Sequence, residues 1–122
     1  MKEQVQGTTP AGAYSPGIIA EGRFLYVSGQ GPMREGQHVR GTIQEETRIT
    51  LENVGKVLAA AGVGYADVVR CGVFIAGADL FAGMNEVYAE FFREPRPART
   101  TIVSGLMDGI KVEIDCVAVI ST

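Results

Sequence analysis

The residues of this chain best suited to hold a small anion lie in Arg96-Pro97-Ala98-Arg99-Thr100-Thr101-Ile102-Val103. Pro97 fixes its own φ and pushes Arg96 towards an extended shape, so the start of a strand is stiff here. Arg99, Thr101 and Val103 then share one face of that strand. A guanidinium on a stiff support presents two parallel N–H donors, the geometry that captures a carboxylate in bidentate fashion. On spacing alone, a solvated arginine at a strand edge is the competing reading.

Other clusters have plainer readings. Gly29-Gln30-Gly31 lacks the spacing and the following helix of a dinucleotide fingerprint, and no P-loop Lys-Ser/Thr pair follows a glycine run. Phe81, Tyr88 and Phe91 fall at core spacing. Glu45-Glu46 reads as negative charge favourable to a helix N-terminus. Cys71 and Cys116 sit in apolar strand-like runs, so buried free thiols in a reducing compartment are expected, and Cys116 is a poor nucleophile there. With one histidine, His38, in a loop, no metal-ligand cluster is expected.

The elements that position these residues follow from composition and pattern. With 122 residues, 46% hydrophobic and 20% charged, the chain reads as a single soluble domain, residues 1–122, large enough for its own core. A net charge of −3 speaks against a nucleic-acid or anionic-membrane partner. No leader-like or long apolar run appears, and the expected location is the cytoplasm.

Ile18 to Gln30 reads as a hairpin: Ile18-Ile19-Ala20, a turn at Glu21-Gly22-Arg23, then Phe24 to Ser28. Gly31 to Gly41 is a polar loop without periodicity. Thr42-Ile43-Gln44-Glu45 has capping-box spacing, and Thr47, Leu51, Val54, Leu58 and Ala61 form the apolar stripe of a helix closed by Gly62. Asp67 to Ala76 reads as a strand. Asp79 is the expected cap of a second helix with the stripe Phe81, Met84, Tyr88 and Phe91, stopped near Pro95. A strand from Arg99 to Ser104, a turn around Met107-Asp108-Gly109 and a last strand Lys111 to Ile120 complete the order.

That order predicts an α+β fold with two helices on one face of a sheet. In the last strand Val112, Ile114, Cys116, Ala118 and Ile120 are assigned to the helix side. Lys111, Glu113, Asp115, Val117 and Val119 fall on the other. Two helices cover only one side of such a sheet, so the mixed face is expected to meet another subunit.

Six blocks together resemble the Rid (YjgF) family of reactive intermediate deaminases along nearly the whole chain. They are Gly12-Ala13-Tyr14-Ser15-Pro16-Gly17, Val27-Ser28-Gly29-Gln30, Leu51-Glu52-Asn53-Val54 with Leu58 to Gly62, Asn85 to Phe92, Arg96 to Thr100, and Lys111 to Asp115. The resemblance implies a chorismate-mutase-like α+β subunit, a homotrimer with ligand clefts between subunits, and a cofactor-free hydrolytic deaminase. Its substrates would be enamine and imine intermediates such as 2-aminoacrylate or 2-iminobutyrate, and its products a 2-keto acid and ammonia. By the same resemblance Arg99 binds the substrate carboxylate and Glu113 positions or polarises the attacking water. Tyr14, Ser28, Gly29, Asn85 and Thr101 are candidates to line the cleft, Thr101 through its backbone; the competing readings are a packed loop aromatic for Tyr14, a turn-stabilising serine for Ser28 and a loop brace for Asn85.

Ala13 and Pro16 replace the family's commoner proline and glutamine, the Phe92 to Pro97 link is short, and Thr101 stands where some members carry cysteine. These differences bear on substrate preference. A non-catalytic carboxylate-binding regulatory or chaperone-like protein is the alternative, with an endoribonuclease third because the acidic charge opposes it.

Overall fold

The structure, a computed structural model, describes residues 1–121. In chain order its strands and helices are β1 (Lys2–Val5), β2 (Gly17–Ala20), β3 (Arg23–Gln30), β4 (Met33–Arg34), β5 (Gln37–His38), α1 (Ile43–Ala60), β6 (Val68–Ile75), α2 (Phe81–Phe91), β7 (Ala98–Val103) and β8 (Val112–Ile120). A four-stranded sheet runs β3-β8-β6-β7, with β6 and β7 parallel and the other pairs antiparallel. Parallel neighbours need a crossover, and α2 supplies it between β6 and β7. The mixed α+β architecture with two helices is as expected.

α1 begins as its sequence dictates. The Thr42 hydroxyl accepts from Glu45 N at 3.1 Å, and the Glu45 carboxylate accepts from Thr42 N at 2.8 Å. At the other end Gly62 takes φ +77, and the amides of Gly62 and Val63 close onto Ala59 O and Leu58 O. This is the left-handed stop that glycine permits. Thr47, Leu51, Val54 and Leu58 are buried between the helix and the sheet. Each large apolar side chain so buried contributes about 1.5–3 kcal/mol.

Three expectations are corrected. Ile18 to Gln30 is not one hairpin: β2 pairs with β1, Glu3 opposite Ile19, whereas β3 pairs with β8, Val27 opposite Cys116. Gly22, at φ +143, turns the chain between them against the end of β8, where an added Cβ would meet Ile120 O at 2.8 Å. β1 went unread because Lys2-Glu3-Gln4-Val5 carries little apolar alternation. Asp79 does not cap α2; a 3₁₀ turn, Ala78–Leu80, precedes the helix, and no side chain caps either. Finally, the supposedly patternless loop holds the small β4–β5 hairpin, with Glu35 and Gly36 in the left-handed region that such a two-residue turn requires.

The two sheet faces differ as β8 predicted, except that Lys111, assigned to the far face, turns its ammonium to Glu46 on α1. Val27, Cys71, Val73, Val112, Ile114, Cys116 and Ala118 are buried beneath the helices with Met84, Tyr88 and Phe92. On the other face Glu113, Asp115 and Val117 are half-buried, and Tyr26 on β3 is 75% exposed. Val119 departs from its strand's pattern and is buried, because the Gly22 turn folds onto it.

Candidate functional site

The predicted site residues fall into two groups. At the β7 edge, beneath α2, lie Arg99, Asn85, Tyr14 and Thr101. The Arg99 guanidinium carbon sits 4.7 Å from the Tyr88 ring centroid, 5.2 Å from that of Tyr14 and 5.6 Å from that of Phe81. One donor, Nη1, bonds Asn85 Oδ1 at 2.8 Å. The three ring faces attract the cation and fix its plane. Burial pulls the Arg99 pKa down from its usual value, while the neighbouring phenols and the Cys71 thiol pull the other way. An arginine remains charged throughout.

The support is local. Asn85 Oδ1 also accepts from Ala13 N at 3.3 Å, so this side chain braces both the arginine and the N-terminal loop. The Tyr14 hydroxyl accepts from Ala11 N at 3.0 Å, leaving its own proton available to donate. Ser15 pins the loop to the strand: its amide donates to Pro97 O at 3.1 Å and its buried hydroxyl to Arg96 O. Ala11, Tyr14, Phe81, Arg99 and Thr101 line a cavity of about 210 Å³. A larger groove, about 520 Å³, adjoins it, and Tyr14 and Arg99 line that one too. The Thr101 hydroxyl is buried without a partner, as is that of Tyr88, which faces only the weakly bonding Cys71 thiol.

The second group is Ser28, Gly29 and Glu113. Between Val27, opposite Cys116, and Gln30, opposite Ile114, the β3–β8 register slips, so Ser28 and Gly29 form a β-bulge on an edge strand. Gly29 lies directly against the Glu113 side chain, and a Cβ there would overlap the carboxylate. Only glycine allows that approach. Glu113 pairs with Phe74 and lies on the sheet face away from the helices. Within one chain, then, the arginine and the carboxylate are not brought together.

Three contributors were not read as site residues in the sequence. Phe81 and Tyr88 belong to the core, as their spacing predicts, yet with Asn85 they also form the wall around Arg99. Their spacing, four and then three residues along one helix face, carried that signal. Gly12 closes against the arginine, where an added Cβ would meet Nη2 at 2.9 Å. Glu46 lies in the first turn of α1 beside Glu45, as expected, but its side chain is wholly buried. Among the described residues no cluster of three or more metal-ligating side chains occurs, and no helix is long and apolar enough to cross a membrane.

Comparison with known proteins places this geometry in context. The pattern of the family described as endoribonuclease L-PSP matches residues 5–120. The chain is 42% identical over 104 residues to the mitochondrial protein mmf2 of Schizosaccharomyces pombe, covering 82% of each. It is 39% identical over 111 residues to a Rattus norvegicus protein named 2-iminobutanoate/2-iminopropanoate deaminase, covering 88% of this chain and 80% of that one. Among solved structures, yeast Mmf1 superposes with a TM-score of 0.77 at 30% identity, covering 99% and 100% of the two chains. A Yersinia pestis member of the Rid protein family, YyfA, does so with a TM-score of 0.77 at 31% identity, covering 98% and 100%. The motifs, the fold and the match across residues 5–120 agree: the chain belongs to the endoribonuclease L-PSP family, which is the Rid (YjgF) family.

Proposed function

We propose that this protein is a cytoplasmic, cofactor-free hydrolase of short-chain 2-imino and 2-enamino acids of the 2-aminoacrylate/2-iminobutyrate type. It releases a 2-keto acid and ammonia from clefts between the subunits of a homotrimer. The observation that carries the reading is the Arg99 fork. It is half-buried among three aromatic rings with Nη1 hydrogen-bonded to Asn85, so its remaining donors are free to hold a carboxylate. Family members named 2-iminobutanoate/2-iminopropanoate deaminase support the choice of substrate.

The chemistry asks little of the protein. Arg99 holds the substrate carboxylate and so fixes the plane of the C=N group. The Tyr14 O–H lies beside it as a donor. Glu113 of a second copy orients a water, whose oxygen adds to the imine carbon as its proton passes to the carboxylate. The carboxyl returns that proton to the nitrogen, giving the carbinolamine; the remaining hydroxyl proton then passes through the same carboxylate to the nitrogen as C–N breaks, so ammonia leaves and the carbonyl forms. The opposite placement of Arg99 and Glu113 in one chain, together with the uncovered face carrying Tyr26 and Phe24, favours assembly that joins unlike edges.

The direct test generates 2-aminoacrylate or 2-iminobutyrate in situ with a dehydratase and follows keto-acid release. Acceleration by wild type that is lost in Arg99→Ala is the expected result. Tight 2-keto acid binding without acceleration would favour the non-catalytic reading. RNA cleavage that survives both Arg99→Ala and repeated purification would favour a nuclease.

A further inference from the structure

The Glu113 half of the site is held from behind by polar side chains of α1. Glu46, 0% exposed, spans two segments with one carboxylate. Its Oε1 accepts from the Lys111 backbone amide at 2.7 Å; its Oε2 accepts from Gly41 N at 3.0 Å and from Lys111 Nζ at 3.3 Å. On its other side the Lys111 carbonyl accepts from Ala76 N at 3.0 Å. The residue that leads into β8 is thus gripped through both its amide and its carbonyl, and Glu113 follows two residues later.

Seven residues along α1 from Glu46, and so on the same face, Asn53 Nδ2 donates to Gly31 O at 3.0 Å and to Met33 O at 2.8 Å. Both ends of the segment from Gly31 to Gly41 are therefore fastened to one helix. That segment leaves β3 two residues after Gly29, whose backbone touches the Glu113 carboxylate. A buried charge is a poor device for stability, since an apolar side chain of similar volume serves a core as well or better. Three donors converging on one buried carboxylate instead fix the relative position of the segments that supply them.

We infer that Glu46, assisted by Asn53, is a positioning residue that sets Glu113 and the Ser28–Gly29 bulge for their work on water. This rests on the reading of Glu113 as the group that orients water. Removing the clamp lets β8's first residues and the bulge shift while the Arg99 cradle, on the far side of the sheet's order, keeps its own supports.

The test compares Glu46→Ala, Glu46→Gln and Asn53→Ala with wild type in the coupled keto-acid assay, together with 2-ketobutyrate affinity by calorimetry and the Gly29 amide resonance. Glu46→Ala should lower kcat about 10- to 100-fold, the scale of a misplacement near 1 Å, while keto-acid affinity stays within about twofold. Glu46→Gln keeps a carbonyl for the Lys111 amide and should recover most of the rate. Asn53→Ala should show a smaller loss of the same kind, which serves if Glu46→Ala does not fold. Unchanged kcat per folded protein in both alanine variants would overturn the inference. So would affinity falling in step with rate, the mark of general loosening. If wild type itself shows no turnover, the underlying reading fails; the Gly29 amide then decides the positioning separately, supported by a shift in Glu46→Ala and overturned by an unmoved line.

Discussion

Arg99 and Glu113 stand on opposite faces of the same four-stranded sheet. Arg99 pairs with Cys71, and Cys71 with Cys116, all on the helix side; Glu113 pairs with Phe74, and Phe74 with Ile102, on the uncovered side. The guanidinium is supported by α2 and the N-terminal loop; the carboxylate lies against a bulge in β3, and α1 grips Lys111 two residues before it. Each half is built by its own elements, so the halves respond separately to mutation.

Two glycines expose that independence. Gly12→Ala places a methyl 2.9 Å from Arg99 Nη2 and should weaken keto-acid binding with little change in kcat. Gly29→Ala drives a methyl into the Glu113 carboxylate and should lower kcat with binding retained. Each loss is expected at about 10-fold or more, the cost of shifting a charge-assisted contact. Steady-state kinetics with separate calorimetric affinities distinguishes them.

The helix cap gives a prediction about stability rather than activity. Thr42→Ala removes the acceptor for Glu45 N and should cost about 1 kcal/mol, lowering Tm by a few degrees. The Thr42 backbone amide first, and its hydroxyl second, also hold the Glu45 carboxyl below its ordinary range, and His38 with Arg40 does the same for Asp108. Depressed carboxylates stabilise the fold above their unfolded pKa values, and the contribution disappears as pH falls through the lower folded ones. Thermal melts of wild type should therefore decline on acidification below about pH 4, and Thr42→Ala, which keeps the amide bond to Glu45 and loses only the hydroxyl, should lose slightly less over that window. Parallel acid profiles for the two proteins would contradict this.

The thiols predict the opposite limb. Burial pushes Cys116 from its ordinary 9.0 to about 12, and burial pushes Cys71 up further still. A raised thiol pKa favours the protonated fold, so this stabilisation is whole below the ordinary value and is lost as pH climbs towards the folded one. Stability should fall above about pH 9. In the native state at pH 8, neither cysteine should react with a disulfide reagent until denaturant is added. Rapid labelling without denaturant would contradict the buried environment.

Much of this molecule was legible where a residue's local chemistry matched its tertiary use. The Thr42 cap, the Gly62 stop and the alternation of β8 are decided within a few residues, so pattern sufficed. Strand pairing was not legible: β2 and β3 are neighbours in sequence, but β1 claims one and β8 the other, a choice made by long-range contacts. The burial of Glu46 was not legible, because a carboxylate in a helix's first turn looks the same whether water or Lys111 meets it. Arg99 was found from its stiff strand and its family context, but its aromatic surroundings depend on α2 crossing over β7. The separation of Arg99 from Glu113 was implicit in the register alone, which no single chain segment reveals.

Subunit mixing tests the central claim most directly. Arg99→Ala and Glu113→Ala proteins, each inactive alone, are unfolded together, refolded as a mixture and assayed for imine hydrolysis. If one copy supplies the guanidinium and another the carboxylate, about a quarter of the sites formed at random recover both groups, and activity returns to that level. A mixture as inactive as its parents would show that both groups must come from the same chain and would contradict the account.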